Sequence, residues 1–264
     1  MSGEEGASPP AASGGREVPP SRVDERDHQA QTPLRLVCAD LDAPPLFSLI
    51  GPDGSRDGYE PAVGRLMAER MGRELVWVPR PWAEMIPAVR AGEADGLLCG
   101  QGISPQRLQQ VDFTRPYAIF DESVLVRAGD GVTSAEQLAG RRVAAIAGSV
   151  NLTLATTFTD AEVVAFDGAS DDVFGDMVAA LQVGDVDAVV DDDVALVPLA
   201  DDARFEVAFT VRSRNRWAVA VAKNRPDRLA TLDDALAEVI ASGDLEVAWK
   251  QWLPGLDYPM GEGA

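Results

Sequence analysis

The feature that most limits what this chain can become is an alternation, from Leu34 onward, of short apolar runs with segments of helical spacing. Leu34–Ala39 is an apolar run, interrupted only by Arg35, that ends at Asp40. Gly58–Met71 then sets Val63, Leu66, Met67 and Met71 around one helical face, and Gly72 closes it. Leu75–Val78 is the next strand. Trp82–Ala91 is a helix with Met85, Ile86 and Val89 inward and Gly92 at its end, and the strand Ala94–Cys99 follows. Strand, helix, strand, helix, strand is the order of a parallel sheet covered by helices.

The unit then repeats in shorter form. Ser123–Arg127, Arg142–Ile146, Val163–Phe166 and Ala188–Val190 read as strands, separated by helices over Ser134–Leu138, Leu152–Phe158 and Val173–Val183. Strands over Val207–Thr210 and Trp217–Val221 follow, then helices over Arg225–Ser242 and Leu245–Trp252. At 264 residues the chain has room for two α/β lobes of about a hundred residues each.

Composition narrows the partners. Lys+Arg 23 against Asp+Glu 43 gives a net charge of −20, which argues against nucleic acid or an anionic membrane. No run approaches the ~18 apolar residues of a membrane span. Cys38 and Cys99 both sit in strand-like runs and are expected to be buried free thiols. Residues 1–33 are rich in Pro, Gly, Ser and charge, and are expected to form a disordered tail or tether. They lack the apolar core of a secretory signal and any lipid-anchoring cysteine. They also hold the only histidine, His28, so no chemistry that needs histidine is expected in the folded part.

One stretch, Gly100–Tyr117 (GQGISPQRLQQVDFTRPY), carries more information than the rest. Ser104-Pro105 reads as a helix start, with a hydroxyl cap and a proline at the first position. Arg107 then falls in the first turn, where the helix dipole disfavours a cation. Either it is a solvated arginine on a capped surface helix, or it is there to pair a ligand carboxylate. The stretch resembles the signature of the amino-acid-type extracellular solute-binding proteins, family 3, of ABC transporters, written G-x-T-I-T-x-E-R-x-x-x-V-D-F-S-x-P-Y. The shared residues are Gly100, Ile103, Ser104, Arg107, Val111-Asp112-Phe113-Thr114 and Pro116-Tyr117. The similarity runs from about Leu34 to Pro254.

The resemblance implies a two-lobed, periplasmic-binding-protein-like (type II) α/β fold, two parallel-sheet lobes joined by a two-segment hinge. Lobe one would comprise 34–121 plus 216–264, and lobe two 122–215. It implies capture of a small zwitterion, an amino acid or related amine, and delivery to an ABC transporter permease. It further implies a monomer acting outside the cytoplasm without cofactor or metal. The missing export signal leaves a cytoplasmic location as the alternative.

Residue by residue, the resemblance places Arg107 on the ligand carboxylate, with Gly100, Ser149 and Val150 around it. Gly148–Asn151 is a strand-to-helix turn of the kind that offers N–H groups to an anion, with Asn151 as a candidate cap. Asp192 would receive the ammonium, with Asp191 beside it and Asp193 capping a helix. Without the resemblance, the three acids read first as the solvated cap of a helix start. Asp40 and Trp82 stand where the family meets the ligand side chain. Trp82 read by itself is also the exposed start of a helix. Gly102 replaces the usual Thr or Ser and removes a hydroxyl, and Ile146 stands where some relatives are polar, so the cleft is expected to be roomier and drier than a glutamine or glutamate site. The run of acids suits a cationic or amine-bearing ligand. A different class stays open: cyclohexadienyl dehydratases resemble this fold, and Asp191 or Asp192 would be the acid if burial raised its pKa.

Overall fold

The computed structural model describes residues 32–260. The expected tail lies outside the described residues, His28 included, except for Thr32 and Pro33. Their carbonyl oxygens accept from Arg73 Nε (2.7 Å) and Nη2 (2.8 Å).

Eight strands form one sheet in the order β2-β1-β3-β8-β4-β7-β5-β6. In chain order they are β1 (Leu34–Cys38), β2 (Leu75–Pro79), β3 (Gly96–Leu97), β4 (Val111–Arg127), β5 (Arg142–Ile146), β6 (Glu162–Phe166), β7 (Ala188–Asp192) and β8 (Phe205–Ala222). The trios β2-β1-β3 and β7-β5-β6 are parallel, as the strand–helix alternation predicts. Between them run β4 and β8, antiparallel to each other from Val111↔Ala222 to Arg127↔Phe205. These two strands pass through both halves of the molecule, and their pairing slips at Phe120/Glu122, midway along.

The helices are α1 (Tyr59–Arg70), α2 (Trp82–Ala91), α3 (Pro105–Leu108), α4 (Val150–Ala155), α5 (Val173–Val183), α6 (Asp193–Leu196), α7 (Pro226–Ala241) and α8 (Asp244–Trp252). Around the second half of the sheet the packing follows strand periodicity. Val124, Val126, Val143, Ala145 and Val190 bury into one cluster, while Leu125, Ala144 and Val189 bury into another on the opposite face. Both faces are covered, so these strands read as continuous apolar runs and not as alternating ones.

The first half has a single core that draws in the C-terminal helices. Phe120 stacks on Trp249 (centroids 5.3 Å, 17°) and meets Trp217 edge-on at 4.7 Å. Tyr117 is fully buried beneath the crossing strands, where its hydroxyl donates to Glu60 Oε1 and its carbonyl accepts from Tyr59 Oη at 2.6 Å. Glu60 Oε1 also accepts from Gly100 N at 2.7 Å, which ties α1 to the start of the signature stretch. Cys38 and Cys99 are buried free thiols, and burial pushes the Cys38 thiol up to about 12.

Candidate functional site

Short helices aim the polar side chains. Ser104 caps α3 by accepting from Arg107 N, with Pro105 at the first position. Ser149, not Asn151, caps α4, its Oγ accepting from Leu152 N at 2.9 Å. That frees the Asn151 amide to reach the acids at the end of β7.

A cavity of about 350 Å³ lies between the two halves of the sheet. Gly100, Arg107, Ser149, Val150, Trp82, Asp191 and Asp192 all line it. Two expected residues do not. Gly102 acts one step back: its carbonyl accepts from Arg107 Nη1 at 2.9 Å, and a Cβ there would sit 2.4 Å from Asn215 Oδ1. The space of the missing hydroxyl is taken by Asn215. Asp40 is exposed and lies outside the lining, its Oδ1 accepting from Ile50 N at 2.9 Å, so the loop after β1 has claimed it.

Arg107 is 4% exposed and makes no ion pair among the described residues. Its Nη2 donates to Gly148 O (3.2 Å) in the opposite half, and its guanidinium sits 5.3 Å from the Trp82 ring centroid. Burial lowers its pKa to about 10, with the Asp192 charge opposing the shift. The arginine therefore stays charged at neutral pH in a dry place, a costly state that an entering anion relieves.

Across from it the acids are crowded. Asp191 Oδ1 accepts from Asn151 Nδ2 (3.0 Å) and from Asp192 N (2.8 Å), and Asp192 Oδ1 accepts from Asn215 Nδ2 (2.9 Å). Glu122 pairs with Asp192 in the β4–β7 register, which adds a third buried carboxyl. Burial, then the Asp192 charge, pushes Asp191 up to about 8 and Glu122 up to about 8. Burial likewise raises Asp192 to about 6, held down by its two asparagines. Asp193, the first residue of α6, accepts from its neighbour Val194 N at 2.8 Å.

Among the described residues, three buried polar atoms near this cluster lack a hydrogen bond of good geometry, Asn151 Oδ1, Trp217 Nε1 and Glu122 Oε2, although the Trp217 indole is near enough to Asp192 to help hold its pKa down. Asn151 and Trp217 line the cavity. Neither was singled out as a contact from sequence. An asparagine one residue into a helix, and a tryptophan inside an apolar strand, carry no local signal of a site.

Two contacts join the two halves beside Trp82, which lines the cavity. Ala83 N donates to Gly168 O at 2.8 Å, joining α2 to the loop after β6. Gly168 packs so tightly on Trp82 that a Cβ would lie 2.8 Å from the ring's Cδ1.

Residues 36–255 match a family model described as bacterial extracellular solute-binding proteins, family 3. The L-cystine-binding protein TcyJ of Escherichia coli (strain K12) is 28% identical over 215 residues, covering 79% of this chain and 78% of that protein. An ancestral arginine-binding protein bound to arginine superposes with a TM-score of 0.74 at 25% identity, covering 85% of this chain and 98% of the other. The ancestral amino acid-binding protein AncCDT-1, a precursor of cyclohexadienyl dehydratase, shares the fold (TM-score 0.73, 23% identity, 88% and 99% covered).

Proposed function

Because this chain belongs to the bacterial extracellular solute-binding proteins, family 3, and is an amino-acid-binding protein of that kind, we propose that it closes two lobes on the zwitterionic head of an amino acid. In this reading Arg107 pairs the carboxylate, assisted by Gly100, Ser149 and Val150, while Asp192, steadied by Asn151 and Asn215, receives the ammonium. Trp82 packs beside the head, and Asp191 serves behind Asp192 as a shared proton store. The observation that carries the proposal is one cavity with a buried, unpaired arginine on one side and buried carboxyls on the other. Each charge lacks the partner that the other end of a zwitterion supplies.

The lobes are 34–121 plus 216–264, and 122–215. What supports this division is the separation of the hydrophobic clusters, Val194 excepted, on either side of Phe120/Glu122, which is one of four places where the β4–β8 pairing slips. The crossing segments of β4 and β8 are the hinge, and closure about it is the working motion. The loaded monomer acts outside the cytoplasm and presents its ligand to an ABC transporter permease. Among the described residues no helix is long and apolar enough to cross a membrane.

A second reading has one observation in its favour. Asp191 and Glu122 are pushed to about 8, so a carboxylic acid stands protonated beside the cavity at neutral pH. That is the state a general acid needs. Asp192→Asn separates the readings. For a binder, wild type turns over neither prephenate nor arogenate, and the variant weakens amine-bearing ligands by about 2–5 kcal/mol while sparing ligands without the amine. For an enzyme, wild type turns over one of them and the variant chiefly lowers that rate.

A further inference from the structure

We infer that the amino acid this cleft takes carries a large uncharged apolar side chain, aromatic or branched aliphatic. The inference rests on the amino-acid reading above and concerns the part of the cavity that the head group leaves empty.

The buried polar side chains of the lining, Arg107, Ser149, Asn151, Asp191 and Asp192, are those assigned to the head, with the Trp217 indole N–H beside Asp192. The rest of the buried lining is apolar, Cys99 adding only a thiol that accepts from Ala39 N. Leu46, Phe47 and Met85 come from the first half, Ile146 and Val173 from the second, each at most 8% exposed, with Phe174 half-buried beside them.

The polar lining residues outside the head are already occupied or exposed. Ser170 Oγ donates to Asp176 Oδ2 at 2.5 Å. Arg80 is paired to Glu93. Asp42 and Asp171 are exposed, so their charges are solvated and screened. A guanidinium or ammonium among these side chains would meet only the solvated carboxylates of Asp42 and Asp171, and a carboxylate only Arg80, which Glu93 already pairs, so no dry counter-charge awaits a charged side chain. An apolar side chain needs none and gains from each surface it covers.

The test is calorimetry on the full chain, dialysed free of carried solute, with L-phenylalanine, L-leucine, L-isoleucine, L-arginine, L-lysine and L-glutamine. The expected result is that at least one of the first three binds tenfold or more tighter than each of the last three. L-arginine, L-lysine or L-glutamine binding tightest would overturn the inference and leave the amino-acid reading standing. No binding by any of the twenty common amino acids would overturn both. Leu199→Glu adds a second arm, since Leu199 is a half-buried lining residue where a carboxylate can be solvated. It should cost the tightest-binding apolar amino acid tenfold or more and narrow or reverse its lead over L-arginine, with the melting temperature reporting that the fold is kept. An unchanged ranking in a folded variant would overturn the placement of the side chain there.

Discussion

Replacing Gly168 by alanine tests lobe closure from a position that lies outside the cavity lining and acts on the ligand groups only through Trp82. Gly168 is outside the left-handed region, so its backbone accepts alanine without strain. What alanine meets is the other lobe: its Cβ would sit 2.8 Å from Trp82 Cδ1 and 3.3 Å from Ala83 N. Relief requires the loop and α2 to move apart, which loses the 2.8 Å hydrogen bond from Ala83 N to Gly168 O. That bond is worth about 1 kcal/mol. Displacing the Trp82 ring from the Arg107 guanidinium removes about 0.5–1 kcal/mol more. The sum, roughly 1.5–2 kcal/mol, falls only on the closed state, so affinity should drop about 10- to 30-fold. Calorimetry with the amino acid giving the largest thermal shift reads the loss. Thermal melting without ligand should change far less, since the contact belongs to neither lobe's core. Unchanged affinity, or an unliganded melting temperature that falls like that of a core mutant, would refute the reasoning.

Two further outcomes follow from the site. Gly102→Ala forces Asn215 off its position, since the added Cβ would lie 2.4 Å from Asn215 Oδ1. Asp192 then loses its 2.9 Å donor, and binding of amine-bearing ligands should weaken by about 1–3 kcal/mol by calorimetry. The buried acids also set a pH dependence. Asp191 and Glu122 are both raised to about 8 by burial, so each folded pKa exceeds its unfolded one. Their contribution to stability is therefore fully present below about pH 4 and is lost as pH rises toward about 8. Melting curves without ligand should fall across that window, and Asp191→Asn should flatten the fall. An unchanged slope in the variant would remove Asp191 from the account.

Much of the fold was legible because strands buried on both faces and helices ended by glycine leave strong local signals, as in Leu34–Cys38 and in Trp82–Ala91 before Gly92. The long crossing strands were not. Asp112, Thr114, Arg115 and Pro116 interrupt the apolar pattern of β4, and Arg212 to Arg216 do the same in β8. What holds those stretches in strand is the pairing between them, which is non-local. At the site, Arg107 and the acids of β7 were readable from a motif and from strand ends. Asp40 was misleading because a nearby loop could claim its carboxylate through Ile50 N. Glu122, Asn151, Asn215 and Trp217 were silent, since their roles depend on which strands and turns lie beside them.

The central claim is that Arg107 meets the carboxylate of an amino acid, and one pair of titrations tests it directly. Wild type and Arg107→Ala are titrated with the best-binding L-amino acid and with the amine formed by removing its carboxylate. The variant should stay folded and lose at least ~2 kcal/mol toward the amino acid, about thirtyfold. Toward the amine, wild type and variant should bind equally weakly. Equal affinity of both proteins for the amino acid would contradict the claim, as would an equal loss for the two ligands.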